Sequence, residues 1–233
     1  MRGARNPLTL LADGSGSDKG SAKHRYTELY HLLFGPHRGR EVVLVELGLM
    51  IGGPEHGVPA DRAVAAPPSV AMWLDYFPKG RVIGLDVSDF SAYETERFRF
   101  LRCDLDDRAA IGAAAAEVAR LGPPDFIVDD ASHASAHQQD AFLALFPVLK
   151  PGGLYLIEDL RWRPRLYEAK RPGFTKTGEL WRSFLSTGAF AHADPAYAEA
   201  MNALRDEISF ATLFPVRFEP GRRDQLLLVH KAG

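Results

Sequence analysis

Residues 125–159 read DFIVDDASHASAHQQDAFLALFPVLKPGGLYLIED. The short apolar run before Asp129-Asp130 predicts a strand over Asp125–Val128. Ser135–Leu149 has its apolar residues at helical spacing, and Pro151-Gly152-Gly153 makes a turn. Gly153–Ile157 predicts a second strand, which ends in Glu158-Asp159. Strand, helix and strand in this order make a βαβ unit, whose two strands run parallel. Each strand therefore carries a pair of acids at its carboxyl end.

The same alternation extends upstream. Glu41–Leu47 is a Val- and Leu-rich buried-strand pattern, followed by a Gly/Pro-rich loop to Pro68. Ser69–Phe77 predicts a helix with Ser69 as N-cap, Arg81–Asp86 and Phe98–Arg102 predict strands, and Ala-rich Arg108–Leu121 predicts a helix capped by Asp106. Tyr26–Phe34 predicts an entry helix stopped by Gly35-Pro36, and the first twenty residues read as a Gly/Ser-rich loop. Downstream, Arg161–Lys176 reads as a basic loop, Thr177–Ser186 and Pro195–Asp206 as helices, and Ile208–Phe214 and Gln225–His230 as closing strands. The expected fold is a doubly wound α/β domain with a seven-stranded, mostly parallel sheet and one antiparallel strand.

Composition narrows the function. Of 233 residues, 46% are hydrophobic and 25% charged, the proportions of an ordinary globular domain. The 28 Lys and Arg nearly balance the 30 Asp and Glu, which argues against a nucleic-acid partner held by bulk phosphate attraction. Cys103 is the sole cysteine, so neither an internal disulfide framework nor a Cys-based zinc cage is expected. No apolar run is long enough to span a membrane, and Met1–Asp13 lacks a signal-peptide core. The expected setting is cytoplasmic, with no membrane partner.

In doubly wound sheets ligands gather beyond the carboxyl ends of the strands. The first strand leads into Glu46-x-Gly48-x-x-x-Gly52, whose glycines let backbone approach a ligand closely. The second ends in Asp86, which can accept from both hydroxyls of a ribose. The third leads to Asp104, placed to accept from an exocyclic amine. Asp129, Asp130, Glu158 and Asp159 converge on neighbouring strand ends about 5 Å apart. Carboxylates packed so closely repel one another, and a divalent cation removes the conflict. Oxygen donors without thiolate favour Mg²⁺, Mn²⁺ or Ca²⁺ over zinc. His133 stands near the start of the next helix, where the neutral imidazole needed by a general base is favoured. His137, one turn on, reads as a surface or packing histidine, and Trp73 and Trp181 as core.

These residues resemble class I S-adenosylmethionine-dependent methyltransferases, in Glu46-x-Gly48-x-x-x-Gly52, Asp86 and Asp129-Asp130. Gly16-Ser-Asp-Lys-Gly-Ser21, Tyr26-Thr27, Asp129-Asp-Ala-Ser-His133 and Pro151-Gly-Gly-Leu-Tyr-Leu-Ile-Glu-Asp159 resemble, more specifically, the Mg-dependent macrolide-sugar O-methyltransferases of the mycinamicin and macrocin type. Ala131 stands where that family commonly has glycine. The resemblance implies a Rossmann-like methyltransferase domain over residues 1–233, with an N-terminal loop and helix over 1–40, a cofactor and metal core over 41–160, and a substrate side over 161–233. It implies metal-assisted O-methylation of a hydroxyl on a sugar or glycosylated small molecule, with S-adenosylmethionine and Mg²⁺ (or Mn²⁺) as cofactors. Asp130, Glu158 and Asp159 would hold the metal, His133 would be the base, and Glu46, Gly48, Gly52, Asp86, Asp104 and Asp129 would serve the cofactor.

Two other readings are weighed against this. A NAD- or nucleotide-sugar-dependent enzyme is disfavoured by the absence of GxGxxG and by Glu158-Asp159. A non-catalytic S-adenosylmethionine-binding protein is disfavoured by the presence of His133 with all three candidate metal ligands. The loops 53–68 and 161–176 are candidate lids, and the cations of the second could steer an anionic sugar. Phe190 and Phe214 are the apolar positions singled out for a homo-oligomer contact.

Overall fold

A computed structural model describes residues 5–215 and 225–233. Parts of the expected N-terminal loop (1–4) and of the expected substrate side (216–224) lie outside the described residues. The sheet contains β1 (Val43–Leu47), β2 (Arg81–Asp86), β3 (Phe98–Arg102), β4 (Phe126–Asp129), β5 (Leu154–Ile157), β6 (Ile208–Pro215) and β7 (Gln225–Lys231). Their order is β3-β2-β1-β4-β5-β7-β6. The first five pair in parallel, and β7 is antiparallel to both of its neighbours. The strand order reverses between β1 and β4, and there the following loops diverge and leave a crevice.

Helices cover both faces. On one face α1 (Pro7–Ser15), α2 (Tyr26–Phe34) and α3 (Pro68–Tyr76) pack on Leu44, Val82, Val128 and Leu156. On the other, α4 (Arg108–Leu121), α5 (Ser135–Leu145), α7 (Thr177–Thr187) and α8 (Pro195–Ala203) pack on Val45, Ile83, Ile127 and Tyr155. The alternate residues of each parallel strand thus enter opposite cores, which explains why these strands read as continuous apolar runs. Trp73 and Trp181 sit one in each core, fully buried as expected.

Most boundaries agree with the sequence to within a few residues, and four readings are corrected. The first twenty residues are not all loop: α1 forms because Asn6 accepts from the Thr9 N–H, Pro7 opens the first turn, and Gly16 ends it in the left-handed region. Leu8 and Ala12 anchor it in the core. The basic segment is not wholly a loop either, since it contains the short helix α6 (Arg165–Glu168). The cap of α4 is Asp107, which accepts from the Ala109 N–H at 2.8 Å, and Asp106 is left for another task. Phe190 is buried against Trp181 and stacked on Phe184, so it offers nothing to an oligomer contact.

Gly48, the first residue past β1, brings the site loops together. Its φ is +81°, and a Cβ there would lie 2.3 Å from the Asp130 carbonyl oxygen and 2.5 Å from the Ala131 Cα. Only glycine lets the loops after β1 and β4 approach so closely. Gly48→Ala is expected to lower the unfolding free energy by about 2–5 kcal/mol, because backbone strain and overpacking add. Gly57→Ala also meets a positive φ but with nothing within 4 Å, and should cost only about 1–2 kcal/mol. Urea denaturation of both variants checks the difference.

Candidate active site

The carboxyl ends of the first five strands open on a cavity of about 480 Å³, a size that suits a small-molecule ligand. Gly48, Asp86, Asp104, Asp130, His133 and Asp159 line it. Glu46, Gly52, Asp129 and Glu158 do not: Glu46, Asp129 and Glu158 are buried behind the wall, and Gly53 lines the cavity where Gly52 was expected.

On the side of β1–β3, Asp86 is fixed by backbone. Its Oδ2 accepts from the Leu49 N–H at 2.8 Å and its Oδ1 from the Ser88 N–H at 2.7 Å. Burial pushes its pKa up and those two N–H groups oppose the shift. Each carboxylate oxygen has two acceptor sites, so one on each remains for a ligand hydroxyl. Asp104 is exposed at the cavity edge, with Oδ1 accepting from the Asp106 N–H at 2.9 Å. Ser69 does not cap α3. Its hydroxyl donates to Glu46 Oε2 at 2.8 Å, and burial pushes the Glu46 pKa up to about 7. Asp129 is likewise pushed up to about 7 by burial.

On the side of β4 and β5, Asp130, His133 and Asp159 each offer one donor atom, and these atoms lie within 4.8 Å of one another. His133 and Asp159 have φ of 57° and 52°, left-handed values that non-glycine residues adopt at a cost. Backbone strain thus falls on two of the three residues that meet. Ala131, the departure from glycine, is not among the residues with positive φ; His133 takes that conformation two positions later.

Lys19 is the site residue that the sequence reading missed. It is 1% exposed, and its ammonium sits among three acids from three strand ends. Nζ donates to Asp130 Oδ2 and lies 3.1 Å from Glu158 Oε1 and 3.8 Å from Glu46 Oε1. Burial alone would lower the lysine pKa. Asp130, Glu158 and Glu46 outweigh it and hold the ammonium well above its ordinary range. Glu158 is pushed up by burial and by the Asp130 charge, while Lys19 and the Tyr30 hydroxyl oppose that shift. A single lysine between two glycines, in a stretch of turn residues, was the available signal. The acids had to be balanced by something, and the chain supplies part of the balance itself.

The remaining groups fit a hard divalent cation. Lys19 occupies Asp130 Oδ2, and Oδ1 lies 3.9 Å from His133 Nε2. His133 Nδ1 is buried without a hydrogen-bond partner. The carboxylates of Asp130 and Asp159, with no thiolate beside them, suit Mg²⁺ or Mn²⁺ and leave the imidazole for a proton. Glu158 is displaced from this group, its Oε1 engaged by Tyr30 and Lys19.

The loops over the cavity touch one another. Trp162 is stacked on His56 and packs edge-to-face on His133, both at 5.1 Å between ring centroids. His137, read as a surface or packing histidine, is buried and hydrogen-bonded at both ring nitrogens: Ser132 Oγ is 2.7 Å from Nδ1 and Asp106 Oδ1 is 3.0 Å from Nε2. Most cations of the basic segment are engaged within the chain. Lys170 donates to Asp106, Lys176 to Glu168 and Arg171 to Tyr197, and Arg163 lies 3.7 Å from Glu179. That leaves little free charge to steer an anionic sugar.

No family model matches the chain. Similar proteins include an 8-demethyl-8-alpha-L-rhamnosyl tetracenomycin-C 2'-O-methyltransferase from Streptomyces olivaceus, 41% identical over 154 residues, which are 66% of this chain and 38% of that protein. A mycinamicin VI 2''-O-methyltransferase from Micromonospora griseorubida is 35% identical over 173 residues, 74% of this chain and 39% of that protein. The MycE methyltransferase from the mycinamycin pathway, solved with Mg, SAH and mycinamycin VI, superposes with a TM-score of 0.71 at 26% identity, over 98% of this chain and 55% of that one. The seven-stranded sheet with helices on both faces thus matches the Rossmann-like fold of a solved methyltransferase. In sequence the chain is similar to sugar O-methyltransferases of natural-product pathways, as its strand-end motifs led us to expect. The chain spans about two fifths of the length of the curated relatives it matches.

Removing the Lys19 charge leaves buried acids without their counter-ion. In EDTA, Lys19→Met is expected to lower the unfolding free energy by about 3–5 kcal/mol, the usual cost of breaking a buried pair. Lys23→Met removes only a half-exposed ammonium, 2.9 Å from Asp18, and should cost less than about 1 kcal/mol.

Proposed function

We propose that this chain catalyses S-adenosylmethionine-dependent, divalent-metal-assisted O-methylation of a sugar hydroxyl on a glycosylated small molecule. The observation that carries the reading is the meeting of Asp130, His133 and Asp159 at the wall of a cavity whose far side presents Gly48, Asp86 and Asp104. The relatives named above methylate sugar positions by their names, and the MycE complex holds Mg and SAH by its description. We read residues 1–233 as one methyltransferase domain, supported by a single sheet whose strands run from Val43 to Lys231.

When bound, the cation supplies the Lewis acidity that eases loss of the acceptor's proton, and the sulfonium supplies the methyl group. Asp130 and Asp159 hold the cation. His133 takes the acceptor hydroxyl's proton at a ring nitrogen, and its fixed backbone keeps that nitrogen at the reacting position. Asp86 orients the cofactor through ribose hydroxyls, with Asp104 beside it. Gly48 lets the backbone close on the cofactor, and Gly52 shapes the turn behind it. Glu46, Asp129 and Glu158 take supporting places: Glu46 and Glu158 share the Lys19 ammonium, and Asp129 accepts from the Ala131 N–H in the loop after β4. Trp162 and His56 cover the site and exclude water. Alignment and proton removal are the main demands of methyl transfer, and these residues meet both.

His133→Ala is expected to lower turnover by about 10²–10⁴-fold, the usual size of a general-base contribution. Asp130→Asn should abolish Mg²⁺-dependent turnover while S-adenosylhomocysteine still binds. Both are checked by mass-spectrometric detection of methyl transfer to rhamnosylated aromatic and macrolide glycosides, alongside calorimetric titration of S-adenosylhomocysteine. Unchanged turnover in His133→Ala removes it from the mechanism. Failure of the wild-type chain to bind S-adenosylhomocysteine overturns the proposed function.

A further inference from the structure

We propose that Tyr26 and Tyr30 of α2 are positioning residues for the cation site: Tyr26 aims Asp159 directly, and Tyr30 holds Glu158 against Lys19, which in turn holds Asp130. Tyr26 donates its hydroxyl to Asp159 Oδ1 at 2.5 Å, and Tyr30 donates to Glu158 Oε1 at 2.5 Å. Both side chains are fully buried. They lie four residues apart on one face of α2, and the acids they hold are consecutive in the chain. Asp159 turns away from Glu158 through its left-handed backbone, so two hydroxyls one helical turn apart can reach both.

The sequence of that face argues for the hydroxyls themselves. It continues to Phe34, which packs on Phe126 at 4.4 Å between ring centroids. Phenylalanine stands where the face meets other aromatic rings, and tyrosine at the two positions that meet an acid. The rings are held before any ligand arrives: Tyr26 stacks on His24 at 5.3 Å, and Tyr30 packs on Trp73 and Phe34. Arg25, immediately before Tyr26, has a φ of 59° and begins the helix from a left-handed turn. Among the described residues it is the third non-glycine residue in this conformation, beside His133 and Asp159. A phenol donating to a carboxylate oxygen fixes which oxygen remains for a cation, and such outer-shell partners set the orientation of metal ligands.

This inference rests on the cation reading of the site, and the test separates the two. Mn²⁺ is titrated into the full chain, with free Mn²⁺ followed by electron paramagnetic resonance. Tyr26→Phe keeps the ring and loses the donor, and is expected to weaken Mn²⁺ binding by about 10–100-fold. Tyr30→Phe, whose effect passes through Glu158 and Lys19 to Asp130, is expected to weaken Mn²⁺ binding by less than Tyr26→Phe and carries the test if the first variant does not fold. Phe34→Leu is the packing control: it should lower the melting temperature with Mn²⁺ affinity changed less than about twofold. Tyrosine variants that bind Mn²⁺ like wild type overturn the positioning role. So does a Phe34→Leu loss of affinity equal to that of Tyr26→Phe, which would make the effect one of packing. Wild-type affinity no better than that of Asp130→Asn overturns the cation reading, and this inference with it.

Discussion

The Lys19 ammonium is the interaction on which this site depends. Carboxylates from β1, β4 and β5 end within a few ångströms of one another because parallel strands end side by side. Buried together without a cation they would repel and take up protons. Lys19 lies against Asp130, Glu158 and Glu46 at once, and thereby ties together side chains from three neighbouring strand ends. Its full burial carries a desolvation cost that only such partners offset. Each member is thus tolerable only because the others are present.

The N-terminal segment is therefore part of the site rather than a covering over the sheet. α1 ends at Gly16, the loop that follows delivers Lys19, and α2 delivers Tyr26 and Tyr30. The same segment packs Leu8, Ala12 and Phe34 into one core, so the charges it carries are held by apolar anchors. From the other face, Tyr167 packs on His137, whose partner is Asp106 beyond β3. The walls of the cavity are thus fixed from both sides, and the strained backbone at His133 and Asp159 is held between them.

The parallel sheet was legible because its signal is local and repeated. The apolar runs at Arg81–Asp86 and Phe98–Arg102 and the Ala-rich Arg108–Leu121 match their elements. The acids at strand ends were legible for the same reason, since topology alone brings them to one edge. What escaped depends on contacts between residues distant in the chain. Ser69 looked like a cap and instead serves Glu46, 23 positions away. Lys19 stands 111 positions from Asp130, and Tyr26 stands 133 from Asp159. α1 was read as loop because only its buried Leu8 and Ala12 distinguish it from the Gly/Ser-rich stretch that follows. Periodicity locates an element, but it says nothing about which distant carboxylate a lysine or a phenol will meet.

The central claim is that the acids at the ends of β4 and β5 are a cation site set beside a cofactor site. It is tested most directly by crystals of the chain grown with Mn²⁺ and S-adenosylhomocysteine, measured for anomalous scattering. The account predicts one Mn²⁺ peak bounded by Asp130 and Asp159, with the adenosyl group against Asp86 and Lys19 still in place beside Asp130. A cavity that takes up S-adenosylhomocysteine while Mn²⁺ is absent from Asp130 and Asp159 would contradict it.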